Sequence, residues 1–110
     1  MSAYTPNRGD IVWINFNPQA GHEQAGRRPA LILSPKNYNS KTGLAILCPI
    51  TSKNKGYPFE VQIIESLPVS GVVLSDQVKS MDWRIRDTNF ICKLDKSSVE
   101  KVLQRLHTLL

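Results

Sequence analysis

The sequence predicts a mainly β domain of the α+β class, a small and strongly bent sheet or barrel with one helix packed on it. Three observations carry that prediction. Short runs rich in β-branched and aromatic residues recur along most of the chain. Pro, Gly and Asn clusters separate them at turn-like intervals. Only the last segment shows sustained helical periodicity. With 110 residues there is room for one core, so these elements are assigned to a single domain over 1–110.

Asp10–Phe16 (DIVWINF) reads as the first strand, buried on both faces near its centre, with Trp13 in the core. Asn17–Arg28 holds Pro18, Gly21 and Gly26 without apolar periodicity and reads as a long loop, a length that points to function. Pro29–Ser34 and Leu44–Ile50 are the next strands, and the PKNYNSKTG stretch between them reads as a loop with room for one helical turn. Pro58–Ile64 and Gly71–Leu74 follow as strands, Ser75–Ser80 is ambiguous between loop and short helix, and Arg84–Ile85 and Phe90–Leu94 read as short final strands, with Phe90 in the core. Ser97 and Glu100 fit a capping box. Val99, Val102, Leu103, Leu106, Leu109 and Leu110 form the apolar stripe of a terminal helix.

Composition excludes several functions. The longest apolar runs, Ala30–Leu33 and Leu44–Ile50, fall far short of a membrane span. The opening MSAYTPNRGD carries no apolar stretch, which predicts no secretory signal and a cytoplasmic protein. Cys48 and Cys92 lack metal-motif spacing and read as reduced, buried thiols. His22 and His107 build no familiar zinc pattern with them, so neither a metal nor a cofactor is expected.

The formal net charge is +5, with 14 Lys and Arg against 9 Asp and Glu. It is unevenly placed. From Gln24 to Phe59 there is no acid, while Arg27, Arg28, Lys36, Lys41, Lys53 and Lys55 fall in that stretch. Beyond Phe59 acids and bases offset one another. A concentrated basic segment reads either as a solvated surface or as a face that tracks phosphates.

The segment GHEQAGRRP places His22, Glu23, Gln24, Arg27 and Arg28 in one loop that ends at a strand. A titratable base beside permanent cations suits phosphoryl chemistry, since one removes a hydroxyl proton while the others hold phosphate oxygens. A polar turn with a surface ion pair accounts for the same residues without chemistry. Thr51, at the end of PITS, either satisfies turn backbone or donates to a phosphate oxygen, and Lys53 and Lys55 follow it. Asp76 and Gln77 either cap a helix or read base edges. Phe16, Tyr38, Tyr57 and Trp83 are candidates for stacking on unpaired bases.

Several blocks, in order, resemble the MazF/PemK/Kid toxins: RGDIVWINFNP, GHEQAGRRPALILSP, YNSKTG, PITSKNKGYPFEV and GVVLSDQVKSMDWR. The resemblance covers nearly the whole chain. It implies a homodimer of SH3-like barrels, each with a C-terminal helix. It implies a metal-independent endoribonuclease that cuts single-stranded RNA, chiefly mRNA, leaving a 2′,3′-cyclic phosphate and a 5′-hydroxyl. It also implies a MazE-type antitoxin whose acidic, disordered tail occupies the RNA groove.

Residue by residue, the family's key arginine corresponds to Arg28, its key threonine to Thr51 and its loop glutamate to Glu23. In the Kid branch the loop histidine and a later acid also matter, and these correspond to His22 and Asp76. That branch has arginine two positions before the acid, where this chain has Leu74, so the MazF-like assignment centred on Arg28 and Thr51 is preferred. Arginine stays protonated at any working pH, which makes Arg28 a clamp and leaves Glu23 or His22 as the general base. Phe16, Asn39, Lys53, Tyr57, Asp76, Gln77 and Lys79 are expected to bind and pose the RNA. The rival from another class is a CcdB-like toxin, which shares the fold, binds DNA gyrase and has no nuclease activity.

Overall fold

The computed structural model describes residues 4–18, 21 and 24–110. The first strand, β1 (Asp10–Asn15), pairs antiparallel with β2 (Arg27–Ile32) on one side and β7 (Asn89–Lys93) on the other. In-register rows explain why β1 is buried on both faces. Ile11 lies opposite Leu31, which lies opposite Cys48, while Val12 lies opposite Ala30, which lies opposite Pro49. Successive side chains alternate between faces, so each row feeds a separate cluster. Ile11, Leu31 and Cys48 join Val99, Val102 and Leu106 of the C-terminal helix α2 (Lys96–His107) on one face. Val12, Ile14, Ala30, Ile32, Leu47 and Met81 pack on the other.

The eight-residue strand β3 (Leu44–Thr51) organises the bend. Its first half pairs with β6 (Lys79–Asp82), and its last two residues pair with β5 (Val72–Leu74), which in turn pairs with β4 (Glu60–Gln62). One strand thus belongs to two ribbons. The path runs β4-β5-β3-β2-β1-β7, with β6 beside β3, and does not close. The expected barrel is therefore a curled open sheet, with β4 and β7 at its edges. Among the described residues no helix is long and apolar enough to cross a membrane.

Several local expectations are corrected. The 35–43 stretch holds a seven-residue helix, α1 (Lys36–Thr42), which Gly43 ends at φ 75°. Asn39 organises it from inside. Its amide donates to Pro6 O at 2.8 Å and Ser34 O at 3.0 Å, and its Oδ1 accepts from the Ser34 hydroxyl. Arg84–Ile85 is not a strand but part of a single 3₁₀ turn, Trp83–Ile85, because the Asp82 carboxylate accepts from Arg84 N. Ser75–Gln77 forms another such turn before β6. The helix α2 is capped two residues earlier than the Ser97/Glu100 pattern indicates, by Asp95, which accepts from Ser98 N at 3.0 Å and from the Ser97 and Ser98 hydroxyls. Leu109 and Leu110 lie past the helix end and are exposed.

Trp13 and Phe90 are not core residues, being 38% and 48% exposed. Trp13 shares the face of Ile11 but falls outside the cluster that α2 covers, and Phe90 lies on the edge strand β7, its ring 5.7 Å from that of Tyr4. Both cysteines are free, Cys48 buried and Cys92 half-buried.

Candidate functional site

The two central residues flank the end of the β2–β3 ladder. Its last pair is Ala30–Pro49, with Arg28 two residues before Ala30 and Thr51 two residues after Pro49. Both side chains line one cleft of about 360 Å³. Arg28 is held by its Nε, which donates to Ala25 O at 2.9 Å, leaving the outer guanidinium nitrogens to act as donors. Thr51, the last residue of β3, is 8% exposed, and its Oγ1 accepts from Lys53 N at 3.2 Å. The hydroxyl that folds the turn therefore still has its own proton to give.

The opposite wall is the Ser75–Gln77 turn. Asp76 and Gln77 both line the cleft, and Gln77 Oε1 accepts from Gln24 N at 3.2 Å, which ties the long loop to this turn. Beneath it, Cys48 Sγ lies 3.9 Å from Ser75 O. Burial, with the negative charge of Asp76 adding to it, pushes the Cys48 thiol up to about 12, so it stays neutral in the core and is no nucleophile at neutral pH.

The third wall is the 52–59 loop, which contributes Lys53, Lys55 and Tyr57. Sequence reasoning missed what holds it. The Glu60 carboxylate accepts from Lys55 N at 3.2 Å and Gly56 N at 3.0 Å, and Asn54 Nδ2 donates to Gln62 Oε1 at 3.1 Å. From below, Arg105 of α2 donates to Pro58 O and Glu60 O. The signal was present, since Glu60 is the first acid after the acid-free stretch. Gln24, Ser52, Phe59 and Leu74 also line the cleft without having been singled out as binding residues.

Of the expected binding residues, Lys53, Tyr57, Asp76 and Gln77 meet Arg28 and Thr51 at the cleft. Phe16 does not. It continues the Val12–Ile14 row into the second cluster and is fully buried, so it has no face to offer a base. Asn39 is likewise fully buried, its amide bound within the molecule, and it fixes α1 and donates nothing outward. Lys79 opens β6 opposite Leu47, half-buried, and is not part of the cleft wall. Tyr38 is exposed on α1, and the Trp83 indole donates to Asn39 O at 3.0 Å; neither lines the cleft. His22 and Glu23 lie outside the described residues.

The fold is thus a small antiparallel β protein with, at the ends of two of its strands, a cleft that gathers three cations, Arg28, Lys53 and Lys55, beside the carboxylates of Glu60 and Asp76. The family model of PemK-like, MazF-like toxins of type II toxin–antitoxin systems matches residues 7–110. The chain is 51% identical over 86 residues to the Endoribonuclease toxin MazF of Escherichia coli (strain K12), covering 78% of this chain and 77% of that protein. It superposes on the crystal structure of MazF from Deinococcus radiodurans with a TM-score of 0.95 at 51% identity, over 97% of each chain. The MazE–MazF complex from the same organism gives 0.87 at 45% identity, over 97% of this chain and 96% of the other. This chain belongs to the PemK-like, MazF-like toxins of type II toxin–antitoxin systems.

Proposed function

We propose that the chain is a toxin that cuts single-stranded RNA, chiefly mRNA, by a metal-independent transesterification in the Arg28–Thr51 cleft. The observation that carries this is the convergence of Arg28, Thr51, Lys53 and Lys55 on one wall system, in a chain half-identical to an endoribonuclease toxin. The 2′-oxygen attacks the adjacent phosphorus as the P–O5′ bond breaks. The 2′-proton passes to Glu23 or His22, and the departing 5′-oxygen takes a proton from water. The products are a 2′,3′-cyclic phosphate and a 5′-hydroxyl. Arg28 holds the non-bridging oxygens as negative charge builds, and Thr51 donates to one of them. Arg28, with Lys53 and Lys55 beside it, supplies the charge compensation that a metal would otherwise bring.

The toxin works in the cytoplasm as a homodimer. Its cognate inhibitor is a MazE-like antitoxin, whose acidic disordered tail lies in the same cleft and competes with RNA by charge mimicry. The gyrase-binding alternative is not favoured, because family membership and the retained Arg28 and Thr51 both point to cleavage.

The test is incubation with a long RNA in excess EDTA, followed by analysis of fragment ends. Cyclic 2′,3′ ends and 5′-hydroxyls are expected. Arg28→Ala and Thr51→Ala should melt near the wild-type temperature and lose cleavage by about 100-fold or more. RNA left intact across many sequences would refute the proposal.

A further inference from the structure

Arg28 and Ser52 border a second depression as well as the cleft. This groove, of about 330 Å³, runs from those two residues past Arg27 to Trp13, with Pro68 and Ser70 on the far side. Trp13 is a large aromatic residue left 38% exposed on a strand otherwise packed tightly, and the Arg27 guanidinium carbon stands 5.4 Å from its ring centroid. Arg27 is fixed there by an ion pair with Asp87 at 3.1 Å and by a bond to Asn89 Oδ1 at 2.6 Å. The arrangement is therefore a pre-set stacking element. An aromatic plane backed by a held guanidinium accepts a base of any identity.

A polymer whose scissile phosphate sits at Arg28 must leave the cleft, and the groove opens from that residue. Resting on the RNA reading above, we propose that the Trp13 groove is a second nucleotide subsite, which seats the nucleotide flanking the cleavage position by stacking on Trp13. It adds affinity for RNA longer than the cleavage core and carries little sequence preference. RNA is favoured over a peptide occupant because the groove joins the phosphate cleft directly and offers a flat aromatic surface with a cation.

The experiment compares two RNAs with the same cleavage site, one trimmed to the site and one extended by several nucleotides on both sides. For Trp13→Ala, KM for the extended RNA should rise about tenfold, with kcat unchanged and the trimmed RNA unaffected. Trp13→Phe should restore most of the affinity. Ser70→Trp, which fills the groove from an exposed position, should reproduce the loss and keeps the idea testable if Trp13→Ala melts early. Equal KM changes for both RNAs, or none for either, overturn the subsite. Weakened binding of an acidic peptide such as oligoglutamate, with both RNAs unaffected, assigns the groove to a peptide and also overturns it. Wild-type protein that cuts neither RNA refutes the nuclease reading itself, a result distinguishable from the others.

Discussion

At the scale of single residues, the placement of Thr51 depends on Gly71. Gly71 adopts φ 116°, a backbone conformation that side chains resist, and a Cβ there would come within 2.2 Å of Thr51 O. Nothing at the end of a flexible chain can yield, because the obstacle is backbone. Gly71→Ala should therefore cost stability by about 2 kcal/mol or more. It should lower cleavage beyond what the loss of folded protein explains, since the β3 end moves with it. Thermal melts alongside initial rates check this, and a variant with wild-type melting and rate would show that the strand end has slack. Arg28 illustrates the converse case. Its Nε bond to Ala25 O orients a fork that lysine cannot supply.

At the scale of elements, α2 carries the Arg105 side chain that supports the cleft loop, so its cap matters to the site as well as to the fold. Hydrogen bonds from Ser97 and then Ser98 hold the Asp95 carboxyl below its ordinary value of 3.8. A depressed folded-state pKa means that the cap is at full strength above that value and weakens as pH falls through the folded-state titration. Asp95→Ala should cost about 1 kcal/mol at neutral pH, and Asp95→Asn much less. Denaturant titrations at pH 7 and pH 3 should show the wild-type advantage over Asp95→Ala shrinking in acid.

Much of this level was legible in the sequence. The strands at 10–16, 29–34 and 44–50 announced themselves through apolar content, and the helix through its stripe. What escaped depends on long-range partners. The helix α1 is organised by Asn39 reaching Pro6 O, distant in sequence, and so a turn-rich stretch folds as helix. Phe16 looks like any exposed aromatic until the β1 alternation carries it inward. Trp13 looks like core until it proves to lie outside the cluster that α2 covers. Arg28 and Thr51 could be named from their blocks, whereas Glu60 is marked in the sequence only as the first acid after the basic stretch, and its role appears once its carboxylate is seen to hold loop backbone.

At the scale of the whole molecule, the +5 charge resolves into a local feature. Arg28, Lys53 and Lys55 share the cleft, while Arg27 and Lys93 are engaged with Asp87 and Asp10. The first three line the cleft together and are placed to displace counterions from a strand bound there. Binding of a non-cleavable, 2′-deoxy oligonucleotide should therefore weaken with salt at a log–log slope of about −2, the value for about three neutralised phosphates on a single strand. Fluorescence anisotropy over a range of salt concentrations measures it. A slope near −4 would mean that the binding track extends well beyond this cleft.

The Glu60 anchor has a further consequence for how such a toxin diversifies. The 52–59 segment is pinned at its root by Glu60 and Asn54 and is exposed between those posts at Lys55 and Tyr57. Its outward side chains are thus separate from the bonds that hold it. Exchanging its outward residues changes what the cleft feels in a substrate while both clusters and the strand register stay as they are. New recognition can then evolve, or be engineered, without putting the fold at risk.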